Sequence, residues 1–96
     1  MDEVVRNEIL AMSRNAHHLT EDSYQKNNTK KGDPGWSEKQ RILLADMALH
    51  LLQTSLKEGD LEVAELKRNL FSILTISDQF IPKIDLKIVA NELYSS

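Results

Sequence analysis

The chain has 96 residues, 41% hydrophobic and 28% charged, with 12 lysines and arginines against 15 aspartates and glutamates and a net charge of −3. This allows one domain, 1-96, with a modest core, and a mildly acidic balance offers no broad cationic surface for nucleic-acid phosphates. There is no cysteine, which excludes disulfides, thiolate metal sites and cysteine nucleophiles and suits a reducing, cytoplasmic setting. The first residues, MDEVVRNE, are charged where a secretory signal needs an apolar run, and no stretch is long and apolar enough to predict a transmembrane segment.

From Asp2 to about Leu19, apolar Val5, Ile9, Met12, Ala16 and Leu19 recur every three or four residues, the period of an amphipathic helix. Val4 and Leu10 lie off that stripe. Residues 20-36, TEDSYQKNNTKKGDPGW, are nearly devoid of apolar side chains and gather Asn27, Asn28, Gly32, Asp33, Pro34 and Gly35. This is turn chemistry, and it predicts a long mobile loop of about residues 20-36, locally basic through Lys26, Lys30 and Lys31, with Trp36 anchored on the helices.

Ser37 to Glu58 carries the broadest apolar arc: Leu43, Leu44, Met47, Ala48, Leu51 and Leu52, widened by Ala45, Leu49 and Leu56. Only Lys39, Asp46, His50, Gln53 and Lys57 remain as a polar strip, so this helix should be central. Ser37 and Gln40 have capping-box spacing, and Gly59 is a natural stop. Asp60 is then the expected cap of a third helix, lined by Val63, Leu66, Leu70, Ile73, Leu74 and Ser77 and broadened by Phe71. A connection of only Gly59 and Asp60 makes the second and third helices antiparallel neighbours. Pro82 ends the third helix, Asp85 caps a short fourth, and Ile84 and Val89 are placed as a hydrophobic staple. The fold class read from this pattern is all-α, an antiparallel four-helix bundle with a long loop between helices 1 and 2 and a short last helix. Leu44, Met47, Leu51, Leu66, Leu70 and Leu74 form its expected core.

Motifs for chemistry are absent. Asp46 and His50 share a helical face at i, i+4, but a transition metal wants at least three protein ligands, and the adjacent His17 and His18 point about 100° apart. They read as surface histidines, with no metal site. Glu58, Asp60, Glu62 and Glu65 cluster at a helix junction, where capping and helix dipoles account for them. The serines and threonines show no nucleophile motif, and Gly32, Gly35 and Gly59 form no phosphate loop. No catalytic residue, cofactor or enzyme activity is expected. What remains is Phe80, Ile81 and Ile84 around Pro82, with Ile88 off the apolar face of the last helix. The connector either folds back and buries Phe80 and Ile81 as a lid, the favoured reading, or forms a protein-binding patch edged by Lys83 and Lys87.

The segment LKRNLFSILTISDQFIPKIDLKIVANELYS, Leu66 to Ser95, with SEKQRILLADMALHLL before it, resembles the third helix, connector and fourth helix, and the second helix, of the immunity proteins of class II, pediocin-like bacteriocins. The chain departs from that family in being mildly acidic where many members are basic, and in lacking the further C-terminal tail that many carry. The resemblance implies a cytoplasmic bundle that protects a producer cell from its own membrane-permeabilising peptide. It would do so by recognising, at the inner membrane face, the bacteriocin-bound permease of the mannose phosphotransferase system. Specificity would lie in the C-terminal half, which draws attention to Gln79, Lys83, Lys87 and Ile88 as partner-binding residues. The rival reading is a small helical adaptor or regulatory protein of bacterial or phage origin that binds a soluble protein; a very small enzyme or metal protein is a third.

Overall fold

The first helix starts where its sequence supplies a cap. Asp2 accepts the Val4 amide on its carboxylate at 2.7 Å, and α1 runs from Glu3 to Lys26 in the computed structural model, which describes residues 1–95. The helix therefore takes in residues 20–26, which the apolar pattern assigned to the loop. Side-chain pairing sustains those last turns: Lys26 bridges Asp22 at 2.8 Å at the i, i+4 spacing, and this bond raises the lysine's pKa. A cation in the last turn also complements the helix dipole. Tyr24 is half-buried, with the Lys39 ammonium 4.8 Å from its ring centre.

The loop that remains, residues 27–35, is built on short-range hydrogen bonds. Asn27 Oδ1 accepts the Thr29 amide at 3.0 Å, Asp33 Oδ2 accepts the Lys30 amide at 2.7 Å, and the Trp36 amide donates to the Asp33 carbonyl at 3.1 Å. Gly35 permits the close return of the chain, since a Cβ there would sit 2.6 Å from Thr29 Cγ2. The second helix, α2, spans Trp36–Leu56 with Gly35 as its cap and no side-chain capping bond. Ser37 thus does not cap, and the capping box is not formed. Gln40 is buried instead, accepting from Gln79 Nε2 at 3.0 Å. Trp36 is half-buried, as an anchor should be.

Gly59 adopts φ 92°, the left-handed conformation that glycine supplies at low cost, just beyond the end of α2. The third helix, α3, spans Val63–Asp78, with Glu62 rather than Asp60 at its N-cap position and no side-chain capping bond. Lys57 holds this turn, reaching Glu62 at 3.0 Å and Glu65 at 3.2 Å. Its pKa is raised by Glu62 and then Glu65, and Lys57 in turn lowers that of Glu62. As expected, α3 stops before Pro82 and Asp85 caps the last helix, α4 (Leu86–Glu92), by accepting the Ile88 amide at 3.2 Å.

The protein is all-α. Its helices touch in chain order, α1 on α2, α2 on α3 and α3 on α4, and no other helix pair is in contact among the described residues. The molecule is consequently flat, 45 × 35 × 17 Å, with a radius of gyration of 15.1 Å against about 12.5 Å for a compact chain of this length. Because each helix is covered only by its sequence neighbours, Leu44, Met47, Leu51, Leu66, Leu70 and Leu74 are half-buried rather than buried. Ala90 is the one fully buried apolar residue among those described.

Polar bonds key each pair. Asp46, on what the sequence marks as the water-facing strip of α2, is buried against α1, where Thr20 Oγ1 and His17 Nδ1 each lie 2.6 Å from its Oδ1. Thr54 donates to Asn69 between α2 and α3. Limited digestion with trypsin should cut first after Lys30 or Lys31, with Lys26 protected by its place in α1; initial cleavage at Lys26 or inside α2 would contradict these boundaries.

Candidate functional site

The segment from the end of α3 through α4 is positioned by two aspartates. Asp85 caps α4 from within, while Asp78, in the last turn of α3, accepts the Leu86 amide at 3.1 Å, so the two helices share a charge-assisted anchor. The anchor is reinforced by the Phe71 and Tyr94 rings, 5.2 Å apart, and by Ala90, whose small side chain lets α4 approach α3. Asp85 was visible in the sequence as a cap; the role of Asp78 depends on chain return and had no sequence signal.

Held this way, the connector does not form a lid. Phe80 and Ile81 are 39% and 43% exposed, and Ile84, Ile88, Val89 and Tyr94 are 56%, 57%, 46% and 57% exposed. The favoured expectation of a buried connector is therefore corrected. The reason is topological: α4 packs on α3 alone, so no further helix end lies over the connector. Lys83 and Lys87 are exposed beside these apolar residues and have no ion-pair partner among the described residues.

Of the four residues singled out from the sequence, Lys83, Lys87 and Ile88 thus share one short exposed stretch. Gln79 differs. It is exposed and follows α3 directly, but its amide is bound to buried Gln40, so part of its polar capacity is spent on the fold. The stretch from Phe80 to Tyr94 thus carries six exposed large apolar residues and two exposed cations.

Grooves lie elsewhere: one of about 470 Å³ runs between Leu19 and Ser23 of α1 and Glu38, Arg41 and Ile42 of α2, and two more border α3. One, of about 420 Å³, has α2 residues His50, Gln53 and Lys57 between Arg14 of α1 and Glu65 of α3. Its carboxylate is already paired with Lys57. The other, about 300 Å³, is lined by Leu43, Met47, Phe71 and Ile76 with Ser72 and Thr75. Among the described residues, His17, Asp46 and His50 alone bring three metal-ligand-type groups together; they lie between α1 and α2. Comparison with known family models, curated protein sequences and solved structures gives no match in any of the three.

Replacing Asp85 with alanine removes the α4 cap and should cost about 1 kcal/mol. Amide exchange should accelerate in α4 while α1 and α2 stay protected. Equal acceleration across all helices would show that α4 does not open independently.

Proposed function

We propose that the protein acts without catalysis, by binding another protein through the connector and α4. The observation that carries this reading is the exposure of Phe80, Ile81, Ile84, Ile88, Val89 and Tyr94 in one short segment. These side chains are about half covered already, so a partner that buried the remainder would gain roughly half of the 1.5–3 kcal/mol of full burial, on the order of 1 kcal/mol for each. Lys83 and Lys87 add charge that can orient an encounter.

The partner follows from the resemblance of Leu66 to Ser95 to the immunity proteins of pediocin-like bacteriocins. In this proposal the protein works in the cytoplasm, as an antiparallel helical assembly with a mobile connection between α1 and α2. It recognises the bacteriocin-bound mannose phosphotransferase permease at the inner membrane face. Gln79, Lys83, Lys87 and Ile88 belong to the contact, with Gln79 acting from its bond to Gln40. The absence, among the described residues, of a helix long and apolar enough to cross a membrane is compatible with docking onto a membrane protein.

Expressed inside a bacterium sensitive to pediocin-like peptides, the protein should confer resistance to one or a few of them, and added outside it should confer none. A Lys83→Glu, Lys87→Glu, Ile88→Asp variant should lose protection while its unfolding free energy changes by no more than about 0.5 kcal/mol per exposed site. Failure to protect against any such peptide would reject the immunity role in favour of an adaptor for a soluble protein. Full protection by the folded triple variant would reject the contact surface.

A further inference from the structure

We propose that His17, Asp46 and His50 form a binding site for a divalent transition metal of the Zn²⁺ class, with Glu21 as the outer partner of His17. The sequence contains only half of it: Asp46 and His50 share a face of α2, and two ligands do not hold such an ion. The fold supplies the third by laying α1 along α2, which brings all three ligand groups within 4.8 Å of one another. Two imidazoles and a carboxylate are a donor set that suits Zn²⁺.

The geometry around His17 carries the argument. Its Nδ1 lies 2.6 Å from Asp46 Oδ1 and its Nε2 lies 3.0 Å from Glu21 Oε2, so both ring nitrogens face carboxylates, which only accept hydrogen bonds when ionised. A neutral imidazole can donate to one of them and sets a lone pair against the other. A metal ion at Nδ1 would leave Nε2–H as the single ring donor, which matches the contact to Glu21. With Nε2–H donating to Glu21, Nδ1 is left unprotonated facing Asp46 Oδ1, so an ion that enters between them meets a histidine whose tautomer is already fixed, as in carboxylate–histidine–metal arrangements.

Asp46 is the natural centre of the set. Its side chain is 9% exposed, whereas His17 and His50 are 22% and 39% exposed, so its charge is the one most in need of compensation. Thr20 donates to its Oδ1 at 2.6 Å and orients it. Its Oδ2 faces His50 Nε2 at 3.4 Å, beyond good hydrogen-bond length and close to the spacing of about 3.3 Å between ligand atoms of a tetrahedral ion with bonds near 2.0 Å. The His17 and His50 rings meet edge to face, their centres 4.6 Å apart. The 2.6 Å and 3.4 Å spacings belong to different oxygens of Asp46. With one ligand atom from each residue, the His17 Nδ1 to Oδ1 separation must open by about 0.7 Å and the widest separation in the set, up to 4.8 Å, must close by up to about 1.5 Å, which side-chain rotation of the half-buried imidazoles supplies. Three protein ligands leave a fourth position for water, as in exchangeable rather than closed sites. One ligand from α1 and two from α2 make the ion a clamp between those helices.

The test is titration of the full chain, first stripped with a chelator, with Zn²⁺ by calorimetry and with Co²⁺ by visible absorption. Single-site saturable binding is expected, with intense tetrahedral Co²⁺ bands and a melting temperature that rises with Zn²⁺ concentration. His17→Gln and His50→Gln should each weaken Zn²⁺ at least about tenfold, and Glu21→Gln by about 10–100-fold. His18→Gln, at the exposed neighbouring position, should leave binding unchanged; helical circular dichroism keeps loss of ligand separate from loss of fold. Absence of saturable binding, equal loss in the His18 variant, or insensitivity to both ligand variants would overturn the site. So would a His17 ring that NMR shows doubly protonated in excess Zn²⁺, since the compensating charge would then be a proton.

Discussion

A carboxylate buried between two helices sets the terms for the rest of this molecule. Asp46 stands in the middle of α2 with α1 across it, and an unpaired charge in that position would cost several kcal/mol. Thr20 and His17 meet it from α1 and His50 approaches from α2 itself, so α1 can dock only where its side chains satisfy this group. The same logic repeats along the chain. Thr54 and Asn69 key α2 to α3, Gln40 and Gln79 tie the start of α2 to the residue after α3, and Asp78 ties α3 to α4. Apolar burial is incomplete, with Ala90 the single fully buried apolar residue among those described. Burial supplies attraction without direction, and the directional polar bonds fix which turns face each other.

The flatness of the molecule explains its exposed end. A helix with neighbours on two sides can partly cover a broad apolar arc, as α2 does between α1 and α3, where Leu44, Met47 and Leu51 are half-buried. The connector and α4 have α3 alone to pack on. Ala90 and Leu86 turn toward that support and are buried or half-buried, while Ile84, Ile88 and Val89 are left to solvent. The surface proposed for partner recognition is therefore a consequence of helix order.

Helix existence was legible in the sequence because it rests on local signals: a three-to-four residue apolar period, Asp85 before α4, Gly59 after α2, and Pro82 beyond α3. The end of α1 was not, since residues 20–26 contribute little to an apolar stripe and are held by Asp22 with Lys26 and by Tyr24 with Lys39. Those i, i+4 charges were in the sequence but weigh less than turn-forming residues nearby. Asp46 was misassigned to a water-facing strip for a different reason. A helical projection reports which residues share a face and says nothing of what another helix brings to it. That His17 and Thr20 would arrive opposite, 29 and 26 residues away, depends on the packing of α1. Gln40 illustrates the same limit, taken from a local capping role by Gln79, 39 residues on.

The claim that the Asp46 cluster determines how α1 sits on α2 is tested most directly by a double-mutant cycle over His17→Ala and Asp46→Ala, read by urea unfolding in the presence of a chelator. A direct, partly buried bond to a charged group predicts a coupling of about 1.5 kcal/mol or more between the two sites. Stability losses that add to within about 0.5 kcal/mol would mean that the two side chains are energetically independent, and that Asp46 does not direct the docking of α1.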